Sequence, residues 1–487
     1  MTEVGLGVQH VGRFLPIVGA ECIRAIDELA AALRERLAGR TVWNVNSAAA
    51  GGGVAELLQS LVPYARGAGI DARWVVIRGT PAFFGVTKRL HHALHGSRGD
   101  GSPLGREERA VYDATMFANA AELASAVRPR DVVLLHDPQT AGLATFLLET
   151  GALVIWRCHI GHDSSNAEVE RGWHFLAPYL ADVPAFVFSR HAYIPDYCDH
   201  GKSTIITPSI DVFSPKNQEI EPAVVRAILV HVGLLEGPAG GGLPTFVRED
   251  GSPGRVDRRA DVIRLGRAPT WDTPLVVQVS RWDPLKDPIG VIEGFAAAAD
   301  GAPPGAAELV LAGPNVNAVA DDPEGAQVFD QVFAAWRALP HAIRQHVHLV
   351  SLPMNDVQEN AAIVNAMQRH AAVVVQKSIH EGFGLTVTEA MWKARPVLAS
   401  AVGGIQDQIV DGRDGLLLRN PTDLDAFAAA LRRLLEKPEE ARRLGENAHR
   451  RVAGEFLGFH HLVKYAELIE RLDSERDGTC RPWRAAL

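Results

Sequence analysis

The stretch best suited to chemistry is HEGFGLTVTE, from His380 to Glu389. Two carboxylates, Glu381 and Glu389, flank Gly382, Phe383, Gly384, Leu385 and Thr386. Carboxylates in a globular protein normally sit singly on wet surfaces. Gly382 and Gly384 permit a sharp turn, and TVTEAMWKA has the composition of a helix that starts near Gly384 or Leu385. The first N–H groups of such a helix lack partners within it and form the positive end of its dipole, which favours a phosphate. Glu381 stands just before this helix end, and Glu389 lies a little more than one turn inside. Ionised carboxylates accept hydrogen bonds from paired hydroxyls, which a sugar ring and a ribose both present. A phosphate site flanked by two hydroxyl acceptors fits a nucleotide sugar. A helix cap beside one solvated glutamate is the plain alternative. A glycosidase pair is another, and it requires carboxyls about 5–9.5 Å apart.

Other stretches bear on that choice. SRWDPLKDP places Arg281 and Lys286 on one loop after a strand. Arginine as a fork and lysine as a point charge could clamp a diphosphate there, although an ordinary solvated loop has the same composition. Gly51, Gly52 and Gly53 lie between a strand and a helix, where a backbone can approach an anion closely. The sequence there is neither GxGxxG nor a Walker motif, so a tight turn remains open. LLHDPQ ends a strand with His136 and Asp137, and WRCHIGHDSSN ends another with His159, followed by His162 and Asp163. A metal held by His136, His159 and Asp163 has no short ligand motif behind it, so no metal is expected.

These residues need a frame. TVWNVNS (41–47), DARWVVI (71–77), DVVLLH (131–136), ALVIWRC (152–158), FVFS (186–189) and TIITP (204–208) read as short apolar strands. They alternate with helical segments such as 22–38 and 54–69, the pattern of a parallel sheet covered on both faces. Residues 212–270 are rich in Gly, Pro and charge and read as an interdomain connection with a mobile surface loop. The strand–helix pattern then resumes at 273–280, 308–313, 346–351, 371–378 and 395–401, and closes with helices from 422 to 456. The expected fold is α/β: two doubly wound Rossmann-like domains facing across a cleft, with ligands beyond the carboxyl ends of the strands. Expected boundaries are 1–220 for the acceptor side and 221–458 for the nucleotide-sugar side. The final amphipathic helix, within 459–487, can pack back on the first.

Composition narrows the class. The chain has 487 residues, 47% hydrophobic and 22% charged, as in ordinary globular proteins. Its interspersed charges sum to -9, which argues against nucleic acid or an anionic membrane as the main partner. No apolar run approaches the ~18 residues of a membrane span. Four cysteines, Cys22, Cys158, Cys198 and Cys480, are widely spaced and suggest free thiols. With no basic-then-apolar leader, a cytoplasmic location is expected. A homodimer is left open.

Taken together, these stretches resemble the retaining family-four glycosyltransferases of the GT-B architecture. Glu381 through Glu389 is their E-x7-E motif, and Arg281 with Lys286 is their cation pair. Over roughly residues 40–460 the chain is most similar to the glycosyltransferring trehalose synthases and the related trehalose phosphorylases. The resemblance implies that Arg281 and Lys286 bind the donor diphosphate, helped by amides near Gly384–Thr386. It implies that Glu389 holds the ribose and Glu381 the donor glucose, while the Gly51–Gly53 loop closes over the donor. His159 matches a histidine near the reaction centre, and His136 and Asp137, with Asp163, lie toward the acceptor. The donor would be ADP-, UDP- or GDP-glucose, with no obligatory cofactor. The implied reaction is reversible transfer of glucose to glucose to form trehalose. Alternatives are a trehalose phosphorylase, a retaining transferase with another acceptor, a nucleotide-sugar epimerase, or a sugar-nucleotide-binding regulatory subunit without turnover. The run HIGHDSSN departs from the family's HID pattern, with Gly161 in place of that Asp, which bears on the acceptor.

Overall fold

The computed structural model describes residues 1–49, 52–299, 307–316 and 323–478. The chain folds into two compact units, Met1–Ser209 joined by the segment beginning at Phe456, and Ile210–Glu455.

The first unit is built on a sheet of β1 (Thr2–Glu3), β2 (Val42–Asn46), β3 (Ala72–Val76), β4 (Val132–His136), β5 (Leu153–Cys158), β6 (Ala185–Phe188) and β7 (Ser203–Ile205). Their order is β1-β3-β2-β4-β5-β6-β7. All neighbours are parallel except β1, which adds antiparallel to β3. VVLLH and LVIWRC are buried at every position because helices cover both faces. Alternate residues serve the two faces. Trp43, Val45, Val133, Leu135, Val154 and Trp156 join one core with helices Pro81–Leu94, Arg106–Ala126 and Ala167–Leu180. Val42, Trp74, Leu134 and Ile155 join the other with helix Gly53–Gly67 and the terminal helix Gly458–Arg476.

That terminal helix buries Tyr465, Leu468, Ile469 and Leu472 on the first unit. Each such apolar side chain contributes roughly 1.5–3 kcal/mol when taken from water. Asp473, also buried, takes a bidentate grip from Arg40 at 2.5 and 3.1 Å.

The second unit has β10 (Asp261–Ile263), β11 (Leu275–Val279), β12 (Glu308–Pro314), β13 (Val347–Leu352), β14 (Val373–Gln376), β15 (Val397–Ser400) and β16 (Leu416–Leu418), preceded by a hairpin of β8 (Thr245–Val247) and β9 (Pro253–Arg255). The sheet order is β10-β13-β12-β11-β14-β15-β16, with only β10 antiparallel among the described residues. The expectation of a connection and surface loop over 212–270 is corrected here. Apolar AVVRAILV forms helix Pro222–His231, the Asp250–Gly251 turn closes the hairpin with Gly251 at φ 83°, and DVI adds an edge strand. The hairpin is anchored through Arg248 to Asp356 at 2.7 Å and through Gln218 to both backbone groups of Val247.

The first boundary lies at Ser209/Ile210, not after residue 220. The reason is the segment Pro215–Gln218, whose carbonyls accept from buried Asn365, while the buried Asn217 accepts from Lys393 Nζ at 2.9 Å. These partners all belong to the second unit. The second boundary lies at Glu455/Phe456, not after residue 458.

Candidate active site

In the second unit β11 has β12 on one side and β14 on the other, so the strand order reverses at β11. Loops from adjacent strand ends meet at such a point, which is where open α/β sheets bind ligands. The loop after β11 carries Arg281 and Lys286, and the loop after β14 carries His380–Gly384. They meet in a contact of 2.6 Å between Lys286 Nζ and Glu381 Oε2, with side chains only 15% and 11% exposed. Ser378 Oγ donates to the same carboxylate at 3.2 Å. Gln376 Nε2 donates to Ser378 Oγ at 3.0 Å, and Thr386 Oγ1 donates to Gln376 Oε1 at 3.1 Å, so one amide joins the glutamate loop to the helix that follows. Gln278 Nε2 holds the Lys286 carbonyl at 3.0 Å, and its Oε1 accepts from Lys377 N at 3.2 Å. Lys377, fully buried, pairs with Asp287, which sits in the left-handed region at φ 47°. Arg281 is exposed and pairs with Asp283 at 3.3 Å.

The helix after the turn runs Leu385–Trp392, with Gly384 at its N-cap in the left-handed region at φ 81°. Gly403 and Gly404 pack against this turn. A Cβ at Gly403 would fall 1.8 Å from the Glu381 carbonyl oxygen, so the close approach of the two loops requires glycine. Glu389 is buried on the helix. Its Oε1 pairs with Lys216 at 3.2 Å, and its Oε2 is a buried acceptor with no hydrogen-bond partner among the described residues. Lys393, one turn on, donates to Asn217 Oδ1, Gln368 Oε1 and the Glu389 carbonyl at 2.9, 2.9 and 3.1 Å. Burial pushes its ammonium down to about 7, against the pull of the Glu389 carboxylate.

In the first unit the reversal falls at β2, between β3 and β4. Gly52 caps helix Gly53–Gly67 in extended backbone, while Gly51 lies outside the described residues. The loop before them is pinned by Asn46, which accepts from Trp74 Nε1 and donates to the Ala48 carbonyl, both at 2.7 Å. The structure brings His136, Asp137 and His159 together. His136 Nδ1 lies 3.0 Å from His159 Nε2, and Asp137 Oδ1 accepts from the His159 backbone N–H at 2.7 Å. Asp137 holds a left-handed φ of 64°, which turns its carboxylate back under the next strand end. Burial pushes Asp137 up to about 7 and His136 down to about 3, and it also pushes His159 well down, with the Arg157 guanidinium adding to both histidine shifts. Asp163 is engaged by Arg190 at 2.6 Å on the following loop. Among the described residues no three His, Cys, Asp or Glu side chains form a group able to hold a metal.

Gly161, the departure in HIGHDSSN, has a local cause. A Cβ there would lie 2.3 Å from Cγ of the buried Tyr193 ring.

Several site residues escaped the sequence reading. Arg157 and Asn44 carry the histidine pair, Lys216 reaches Glu389, and Gln278, Gln376, Lys377, Gly403 and Gly404 shape the Lys286–Glu381 contact. The available signal was polarity inside buried strands, as in WNVN, LVVQV and VVVQK.

Comparison with known proteins agrees with this architecture. Residues 269–451 match the family described as "Glycosyl transferases group 1", and residues 44–195 match "Trehalose synthase, N-terminal domain". The solved α,α-trehalose-phosphate synthase (UDP-forming) from Burkholderia vietnamiensis superposes with a TM-score of 0.62 at 18% identity, over 89% of this chain and 98% of that one. The two doubly wound units and the matched group 1 half define a glycosyltransferase of the GT-B class. The trehalose synthase of Pyrococcus horikoshii is 35% identical over 96% of this chain and 98% of its own length. That of Rubrobacter xylanophilus is 36% identical over 94% and 95%. The chain belongs to the trehalose synthase family.

Proposed function

We propose that the protein moves glucose from a nucleoside-diphosphate glucose to free glucose with retention, forming α,α-trehalose reversibly in the cytoplasm. The observation that carries the donor half of this reading is Glu389, whose Oε2 is buried without a partner among the described residues, on a helix whose N-terminus adjoins the Lys286–Glu381 contact. A ribose hydroxyl would satisfy that oxygen. The relatives named trehalose synthase suggest the product.

On this reading Lys286 and Arg281 offset the diphosphate charge, with no metal required of the site. The N–H groups of Gly384, Leu385 and Thr386 add to the pull on the departing phosphate. Glu381 accepts from hydroxyls of the donor glucose, and its contact with Lys286 couples sugar position to phosphate position. The anomeric carbon–phosphate oxygen bond breaks with its electrons leaving on the diphosphate. The acceptor oxygen then bonds the same face of the oxocarbenium-like centre. The acceptor proton passes to the leaving phosphate oxygen, so no enzyme nucleophile is needed. Catalysis consists of positioning and electrostatic stabilisation. His136, Asp137 and His159 serve the acceptor and sugar from the first unit.

The test is incubation of the protein with ADP-, UDP- and GDP-glucose, with and without glucose, followed by sugar analysis. Trehalose from at least one donor is expected. Trehalose breakdown that depends on phosphate and no nucleotide would replace the reading with a phosphorylase. Hydrolysis alone or no product would refute the assigned acceptor.

A further inference from the structure

Asn44, His136 and His159 sit on three adjacent strands or their ends, β2, β4 and β5, and form one hydrogen-bonded row. Asn44 and His136 are buried, and His159 is partly so. His136 Nε2 lies 3.3 Å from Asn44 Oδ1, and the Asn44 amide nitrogen points to the Arg73 carbonyl at 3.5 Å, which orients the amide with its oxygen toward His136. A carbonyl oxygen only accepts, so the proton of that bond belongs to His136 Nε2. A neutral imidazole carries one proton, so His136 Nδ1 is an acceptor. The 3.0 Å link from His136 Nδ1 to His159 Nε2 then requires the proton on His159 Nε2 and leaves a lone pair on His159 Nδ1.

Neutrality of the pair has its own cause. Arg157 Nε–H donates toward His159, 3.2 Å from Nδ1 and 3.1 Å from Nε2; with the Nε2 proton committed to His136, Nδ1 is the acceptor, and the guanidinium opposes a second proton. Arg157 is itself fixed by Tyr465 Oη and the Ile206 carbonyl, each at 3.0 Å. The other titratable groups packed here are Asp137 at the end of β4 and His461 and Tyr465 on the terminal helix. His461 is also held uncharged by burial, so the carboxylate of Asp137 is the one acid facing the pair.

We propose that Asn44 is a positioning residue that, acting through His136, fixes His159 as the neutral Nε2–H tautomer with Nδ1 accepting from Arg157 Nε–H. The consequence for turnover rests on the function proposed above, and the tautomer assignment does not. Both ring nitrogens of His159 are then committed, so the ring is held neutral and in one orientation.

The test uses the full-length protein with 15N-labelled histidine, with resonances assigned from His136→Gln and His159→Gln. Two-bond proton–nitrogen correlation spectra report which ring nitrogen is protonated. In the wild type, both rings are expected as neutral Nε2–H species across about pH 5–8. In Asn44→Asp, a carboxylate faces His136 Nε2, and the pair is expected to take up a proton within that window because an opposite charge within ~4–6 Å favours the charged form. In Asn44→Leu the acceptor is gone, and the tautomer of His136, and with it that of His159, is expected to become mixed. On trehalose formation, Asn44→Leu is expected to lower kcat by about tenfold with donor KM within about twofold, the pattern of a lost transition-state contact. Asn44→Asp is expected to retain activity at pH 8 and gain an acid limb. The proposal is overturned if His159 carries its proton on Nδ1 in the wild type. It is equally overturned if Asn44→Leu leaves both tautomers unchanged while nucleotide binding shows the variant folded. Spectra as expected with no trehalose formed would uphold the tautomer assignment and refute only the proposed reaction.

Discussion

Glu389→Ala tests the nucleotide half of the site. In the folded protein one carboxylate oxygen faces Lys216 and the other has no partner among the described residues. If Oε2 receives a ribose hydroxyl, the bond is charge-assisted and contributes about 1.5–3 kcal/mol. At 1.4 kcal/mol per tenfold, Glu389→Ala should weaken nucleoside-diphosphate binding by about 10- to 150-fold. Glu389→Gln keeps an acceptor but loses the charge, so it should fall between wild type and Ala. Isothermal titration with the nucleoside diphosphate that supports turnover gives the affinities. The same titration with its 2′,3′-dideoxy analogue completes a double-mutant cycle. Wild type should bind the analogue about as weakly as Glu389→Ala binds the intact ligand, and Glu389→Ala should scarcely distinguish the two. An affinity within about twofold of wild type refutes the assignment, because a desolvated charged acceptor cannot contribute so little. Equal discrimination by wild type and variant refutes it independently of any change in fold.

Other perturbations address the remaining residues. Lys286→Ala and Glu381→Ala should each cut turnover by about 10²–10³-fold with the far-UV circular dichroism spectrum unchanged; near-wild-type rates in both would remove the 2.6 Å contact from the mechanism. Asp137 has its folded-state value raised to about 7, so the native state binds more protons than the unfolded chain between its two values. Stability contributed by this group is therefore full below its unfolded value and is lost as pH rises to about 7, and Asp137→Asn should flatten that fall in urea midpoints measured from pH 5 to 8. Asp473→Ala removes the buried carboxylate from Arg40, which keeps only the Arg130 carbonyl, and should lower the urea midpoint by the loss of a charge-assisted hydrogen bond, about 1.5–3 kcal/mol, while nucleotide affinity holds.

The parts of the fold legible in the sequence were those where one physical rule dominates. Central parallel strands are buried on both faces, so VVLLH, LVIWRC and VVVQ stand out as short apolar runs. The turn into the Leu385 helix was legible because glycine is needed where φ is positive. Edge strands were not. DVI at β10 is half-exposed and follows a charged stretch, and TE at β1 carries no apolar signal at all. Their places are set by pairing with β13 and β3, a tertiary fact. The link at 210–220 was hidden for a similar reason, since what fixes it is the capture of Asn217 by Lys393, far along the chain.

A more general signal was present. Asn44, His136, Arg157, Gln278, Gln376 and Lys377 are each polar, buried, and set in or just beyond an apolar strand. Burying an unpartnered polar group costs about 1–3 kcal/mol on mutational scales, so a strand tolerates one only where a partner is assured. Five of the six lie at or just beyond the carboxyl end of their strand or one residue short of it, the edge where doubly wound sheets bind ligands. Asn44 sits mid-strand, yet its partner is the last residue of β4. Such residues mark the layer beneath a site. They orient the groups that the proposed function assigns to the site, as Gln278 does for Lys286 and Asn44 for His136. In an α/β sequence, a lone polar residue near the carboxyl end of an apolar strand therefore points to the support of the chemistry, one layer below the loops that perform it.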